Sequence, residues 1–344
     1  MDFKKIVAEG DICRKNYIDG IQAFINRKNN ECFDKREEFM PPERLTKELE
    51  NYRYLYLKML GVTKVDSLDC PDPQMTHVGD DDECSCYRVI TYITPEIPFY
   101  SLLFKPHNLD ASSPFIIAQH GGLGTPEICS EMLGKNNYNR MVRRVIERNA
   151  VVLAPQLLLW NTNKDYDFPL HNIPFDRVDV DNNLKRFGLS ITALEVKGIM
   201  NAITYMCKQV FVNKDKIGMV GLSYGGYYTM HTMAADTRIK AGYSNAVFND
   251  RNIYTKHDWS YKDSANTFQD AEVAALCAPR KLYIAVGTED HLFKPEPAIA
   301  ESERVKKYFE AFGCPENYVF EVWEVTHSVP DSDTGVDFLF NALK

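Results

Sequence analysis

Residues 217–235 run from an apolar stretch into a proline-free stretch of small and apolar residues, and at the junction stands Val220-Gly221-Leu222-Ser223-Tyr224-Gly225-Gly226. This G-x-S-x-G arrangement constrains the fold more than any other segment. Where a strand turns at once into a helix, the apex residue is forced into a strained backbone conformation, and residues two positions to either side must lack side chains to avoid collision. Gly221 and Gly225 meet that demand. The apex lifts a hydroxyl clear of the sheet and leaves the following amide N–H pointing into the same space, which suits attack on a carbonyl. Ser223 is therefore the candidate nucleophile, with residues 216–220 as the buried strand that enters the turn.

A serine hydroxyl is too weak an acid to attack unaided, so a base must take its proton and a carboxylate must orient that base. Both follow at later strand ends. After the apolar run 281–286 comes Gly287-Thr288-Glu289-Asp290-His291, and after the run 318–325 comes Thr326-His327-Ser328. Asp290 is the preferred acid, because a G-x-x-D turn after a buried strand holds a carboxylate near the carboxyl edge of the sheet; Glu289 and Asp250 are its rivals. His327 is the candidate base, the only histidine after His291.

A tetrahedral intermediate also needs two N–H donors. One is expected from the backbone of Tyr224. The other is expected from the loop after Phe115-Ile116-Ile117-Ala118-Gln119-His120-Gly121-Gly122, from Gly122 or, failing that, Leu123, since glycines let the backbone approach a bound oxygen. His120 is expected to brace that loop rather than to transfer protons. Thr192-Ala193-Leu194-Glu195 matches a capping box, which gives Glu195 a structural role.

Strand-like runs at 115–118, 150–154, 239–246, 281–286 and 318–325 alternate with helix-like stretches at 138–148, 189–210 and 301–312. That alternation predicts an α/β fold with a mostly parallel central sheet and helices on both faces. Residues 1–80 form a helical N-terminal extension packed on the core, ending in a loop that carries Pro71, Pro73 and the acidic run Asp80 to Glu83. The catalytic body occupies 81–344 and opens with strands at 87–92 and 97–104. Two polar stretches, about 156–187 and 248–270, interrupt the alternation; insertions this long are usually functional. Their Trp160, Phe168, Phe175, Trp259 and Tyr261 either line a substrate pocket over the serine or pack on the surface.

A net charge of −8 disfavours nucleic acid and anionic membranes as partners. A mean hydropathy of −0.35 is that of a soluble protein, and the N-terminus lacks the apolar run of a secretion signal, so a cytoplasmic location is expected. The nine cysteines sit mostly in apolar surroundings and read as reduced thiols; Cys84-Ser85-Cys86 reads as a chance surface pair, lacking a second pair at zinc spacing. No P-loop, dinucleotide fingerprint or H-E-x-x-H is present, so no cofactor or metal is expected.

Taken together, strand-His120-Gly121-Gly122, the Gly221-to-Gly226 elbow, Gly287-Thr288-Glu289-Asp290 and Thr326-His327 resemble the α/β-hydrolase superfamily over about residues 87–344. The helical extension, Arg186-Phe187-Gly188 before a long helix and the paired glycines of the elbow resemble its acetyl xylan esterase and dienelactone hydrolase-like branch. The chain departs from that branch where dienelactone hydrolases use cysteine as nucleophile, and where many deacetylases place glutamine at the position of Tyr224. The resemblance implies ester hydrolysis and leaves the substrate open; a serine carboxylesterase of the short-chain, acetyl-ester type, acting on a small-molecule or carbohydrate ester, is the leading expectation, and the enzyme could assemble as a homo-oligomer. A serine peptidase or amidase on the same scaffold, and a silent hydrolase-fold binding protein, are the other readings.

Overall fold

The computed structural model of the 344-residue chain describes residues 1–132, 134–162 and 173–344. Two helices come first, α1 (Phe3–Phe39) and α2 (Pro42–Leu60). Along α1 only Cys32 and Arg36 are buried, so its N-terminal thirty or so residues stand in solvent. Arg36 anchors its end. It pairs with Glu272 at 3.0 Å and Glu301 at 2.8 Å. α2 is seated more conventionally, with Leu45, Tyr52, Tyr56 and Leu60 on one buried face.

Three antiparallel strands follow, β1 (Gln74–Asp80), β2 (Cys84–Thr94) and β3 (Ile97–Pro106), and then the alternating part of the chain: β4 (Phe115–Gln119), α3 (Pro126–Cys129), α4 (Met141–Ile146), β5 (Val151–Pro155), α5 (Arg177–Lys185), α6 (Ile191–Met206), β6 (Ile217–Leu222), α7 (Tyr224–Ala235), β7 (Ile239–Asn245), α8 (Asp270–Ala275), β8 (Lys281–Gly287), α9 (Pro295–Ala311), β9 (Tyr318–Trp323) and α10 (Thr334–Asn341). They build one nine-stranded sheet in the order β1-β2-β3-β5-β4-β6-β7-β8-β9. From β5 to β9 every pairing is parallel. β4, β5 and β6 are buried at every position, as expected of parallel strands covered on both faces, and their sequences are accordingly continuous apolar runs. One apolar cluster gathers α2, α6, α7 and α9 on one face; another gathers α4 and α10 on the other. The sheet is thus mostly parallel with helices on both sides.

Three sequence expectations need correction. The loop expected between Pro71 and the acidic run contains β1, an edge strand paired with β2 from Gln74↔Ile90 to Asp80↔Ser85. No position of β1 is buried, so it lacks the alternation that reveals a strand. Cys84 and Cys86 are not a surface pair, since Cys84 is buried in the second apolar cluster and Cys86 packs half-buried against it. And the cap of α6 is Ser190, whose side chain accepts from the Ala193 N–H at 3.0 Å; Thr192 instead donates to the Asp258 carbonyl. All nine cysteines are unpaired. Among the described residues no helix is long and apolar enough to cross a membrane.

Candidate active site

β6 ends at Leu222 and α7 begins at Tyr224, leaving Ser223 alone at the apex with φ 58° and ψ −123°. That is strained backbone for a residue with a side chain. It is held by the Ser223 N–H donating to the Asn245 carbonyl at 2.8 Å and by Asn245 Nδ2 donating to the Gly221 carbonyl at 3.2 Å. The flanking glycines are required by contact. A Cβ on Gly221 would lie 2.3 Å from the carbonyl carbon of Gly225, and one on Gly225 would lie 2.1 Å from the Gln119 carbonyl oxygen.

The ends of β8 and β9 are tied to each other. Thr288 N–H donates to the Trp323 carbonyl at 2.8 Å and Glu289 N–H to the Val325 carbonyl at 3.1 Å. The approach is so close that a Cβ on Gly287 would sit 2.3 Å from the Val325 oxygen. This brings Asp290 beside His327, Oδ2 to Nδ1 at 2.8 Å. The other carboxylate oxygen accepts from the Leu292 and Phe293 N–H groups at 2.8 and 3.2 Å. A carboxylate at Nδ1 keeps the proton on that nitrogen, so Nε2 is the ring's free base. Asn137 holds the far side of the loop, with Nδ2 donating to the His327 carbonyl at 2.9 Å. Of the rival acids, Glu289 is exposed, and Asp250 accepts from Asn252 N–H in a separate pocket against α1.

The loop after β4 is built on His120, which is fully buried. Its Nε2 accepts from the Leu157 N–H at 3.0 Å, so the proton sits on Nδ1 and is donated to the Gly121 carbonyl at 2.8 Å. Burial pushes the ring's pKa down to about 4, which keeps it neutral. The Gly121 N–H is taken by the Tyr138 hydroxyl at 2.6 Å. Gly122 faces the Tyr224 ring. Tyr224 is the first residue of α7, where helix geometry offers its N–H no acceptor. Gly122, Leu123, Ser223, Tyr224 and His327 line one cavity of about 790 Å³.

Of the aromatic residues in the two insertions, Trp160 and Phe175 line that cavity, edge to face with ring centres 4.6 Å apart. Trp259 is buried behind Tyr224 at 5.2 Å, Tyr261 donates to the Phe268 carbonyl at 2.6 Å, and Phe168 lies outside the described residues. What the sequence did not reveal is the charge network beneath them. Arg177, in the first insertion, forks onto both oxygens of Glu195 at 3.0 and 2.8 Å and reaches Asp258, in the second insertion, at 2.7 Å. Tyr228 adds its hydroxyl to Arg177 and Glu195, and Tyr224 donates to Asp258 at 3.1 Å. All five side chains are buried. The only local trace of the network was a glutamate on the buried face of α6.

Residues 192–278, from α6 through α8, match the model of the prolyl oligopeptidase family. The Bacillus subtilis (strain 168) protein named “Putative hydrolase YtaP” is 31% identical over 105 residues, 28% of this chain and 35% of YtaP, so the chain spans about a third of that relative. Among solved structures, a Bacteroides fragilis NCTC 9343 protein described as a “putative acetyl xylan esterase (BF1801)” superposes with a TM-score of 0.69 at 16% identity, over 88% of this chain and 83% of its own. The glucuronoyl esterase from Solibacter usitatus gives 0.63 at 13% identity, over 87% and 92%. Acetyl xylan esterase 1 from Thermoanaerobacterium sp. JW/SL YS485 gives 0.56 at 13%, over 86% and 94%. The sheet order, the strand-to-helix elbow and these likenesses give this chain the α/β-hydrolase fold.

Proposed function

We propose that the protein is a serine hydrolase of carboxylic esters, acting on short acyl groups of the acetyl type, on small-molecule or carbohydrate alcohols. The observation that carries this reading is the convergence of Ser223, the His327 ring backed by Asp290 at 2.8 Å, and the Gly122 and Tyr224 backbone on one cavity. The described solved likenesses are esterases, two of them of acetyl xylan type, which supports the ester reading. Ser223 Oγ attacks the carbonyl carbon as His327 Nε2 takes its proton, and Asp290 stabilises the resulting imidazolium. The negative oxygen is held by the N–H groups of Tyr224 and Gly122; Gly121 is ruled out because its N–H already serves Tyr138. His327 returns the proton to the departing alcohol, and water, activated by the same ring, releases the acid from the acyl enzyme.

Peptide or amide hydrolysis is the second reading, favoured by the match to the prolyl oligopeptidase family over residues 192–278. A fluorophosphonate probe tests what both readings share: intact protein should gain one adduct on Ser223, and a Ser223→Ala variant none. Turnover then separates them. Acetate and propionate aryl esters should be hydrolysed faster than long-chain esters and than peptide anilides; the reverse order would overturn the acetyl-ester proposal with the serine still labelled.

A further inference from the structure

From Phe3 to Lys28 every residue of α1 is exposed except Gly10, which is partly buried. At 3.6 residues per turn the large apolar side chains of this stretch share one side of the helix, with Ile12 alone on the opposite side. Tyr17, Ile18, Ile21, Phe24 and Ile25 make the main patch, from 43% exposed at Ile25 to 74% at Tyr17. Phe3, Ile6 and Val7, all at least half exposed, carry the stripe back to the start of the helix. Further along, the same side seats α1 on the body: Cys32 and Arg36 are its buried residues, and Phe39 packs edge to face on Phe268. α1 therefore keeps one apolar direction over its whole length, covered where the body reaches it and bare beyond.

The bare part is large. Taking about 200 Å² for a whole aromatic side chain and about 100 Å² for an aliphatic one, these exposures amount to roughly 700 Å². That exceeds the ~300–600 Å² of the largest apolar patch on an ordinary monomer and approaches the ~800 Å² that each partner gives to a standard interface. The charges beside the stripe are already matched within the helix. Lys5 pairs with Glu9, Arg14 with Asp11, Lys15 with Asp19, and both Arg27 and Lys28 with Glu31. Arg14, which interrupts the stripe between its two parts, is thereby neutralised. A lipid surface holds an amphipathic helix through free cations along its polar face, and before Glu31 only Lys4 lacks an acid among the described residues. An identical helix, in contrast, can approach without meeting unmatched charge of its own sign.

We propose that this stripe is the contact surface of a homodimer, in which the exposed part of α1 lies along the same part of α1 in a second copy of the chain. A two-fold axis presents each stripe to the other, so a single contact covers both. Phe3 to Ile25 spans about 34 Å of helix. The pair would bury roughly 1,400 Å² in all, within the ~1,200–2,000 Å² of specific complexes. The proposal is independent of the assignment of Ser223.

The test is sedimentation velocity of the full chain over ~1–100 μM, with flotation on phosphatidylglycerol vesicles as a separate arm. The expected species has twice the 39.5 kDa mass of the chain, and it does not float. Ile18→Glu combined with Ile21→Glu puts charge in the middle of the stripe, at positions exposed in the single copy, where folding is not at stake. It should raise the dissociation constant at least about 100-fold while the circular dichroism stays that of the wild type. Ile12→Glu adds the same charge on the opposite side and should leave the constant within about twofold. Four results would overturn the proposal: a monomer throughout the range, a dimer that survives the double substitution, a dimer lost equally in Ile12→Glu, or a monomer that floats with the vesicles.

Discussion

His120 gives a prediction whose size follows from its surroundings. In the folded chain the ring is kept neutral down to about pH 4, against 6.5 for a free histidine, chiefly by burial. In the unfolded chain it takes up a proton near the ordinary value. Between those two pH values the unfolded state binds the additional proton, so the stability present above pH 6.5 is lost as the pH falls toward 4. At 1.36 kcal/mol per pH unit the loss is about 3 kcal/mol. Protonation is opposed locally too, because Nε2 would become a donor facing the Leu157 N–H that now donates to it. His231 shifts in the same direction, while burial raises Asp270 and Glu301, which act in the opposite sense. The effect of His120 must therefore be read as a difference. His120→Gln retains an acceptor oxygen for Leu157 without titrating. Denaturant unfolding of both proteins from pH 7 to pH 4 should show the stability of the wild type falling relative to the variant, with a slope approaching about 1.4 kcal/mol per pH unit. A difference that stays constant across the range would refute the assignment of a buried, neutral His120.

Three other outcomes are expected. Asp290→Asn should lower kcat on an aryl acetate by about 10⁴ with KM little changed, whereas Glu289→Gln, at an exposed position, should retain kcat within about twofold. Arg177→Met leaves Glu195 and Asp258 buried without their partner and should cost about 3–5 kcal/mol by chemical denaturation; adding Glu195→Gln and Asp258→Asn should recover much of the loss. Gly225→Ala drives a Cβ to 2.1 Å from the Gln119 oxygen and should cost more than about 3 kcal/mol, while Gly20→Ala, with nothing within 4 Å in an exposed stretch of α1, should stabilise by about 1 kcal/mol.

The parts of this molecule that could be read from its sequence are those whose physics is local. β4, β5 and β6 announce themselves because burial on both faces leaves no polar position in the runs before Gln119, the last residue of β4. The elbow does so because a strained apex between close-packed backbones admits only glycine at Gly221 and Gly225. Asp290 and His327 were visible as polar residues at the ends of such runs, though β9 stops at Trp323, two residues short of the predicted end, where the chain turns to bond with the loop after β8. β1 escaped because an edge strand exposed on both sides has no alternation to show. The helix cap was misplaced because Ser190 and Thr192 are both capping types two residues apart, and Glu195 completes the box pattern for Thr192 alone. The Arg177 network lay almost wholly beyond local reading: its charges come from residues 177, 195 and 258, and apart from the apolar neighbours of Glu195 in α6 nothing marks them as joined.

That network also limits how the protein can be rebuilt. One guanidinium closes the first insertion, α6 and the second insertion against the helix that follows Ser223. The two insertions are therefore a single heritable part. A chimera that imports one of them from a relative strands a charge in the interior, and a lineage that remodels one must remodel the other in step.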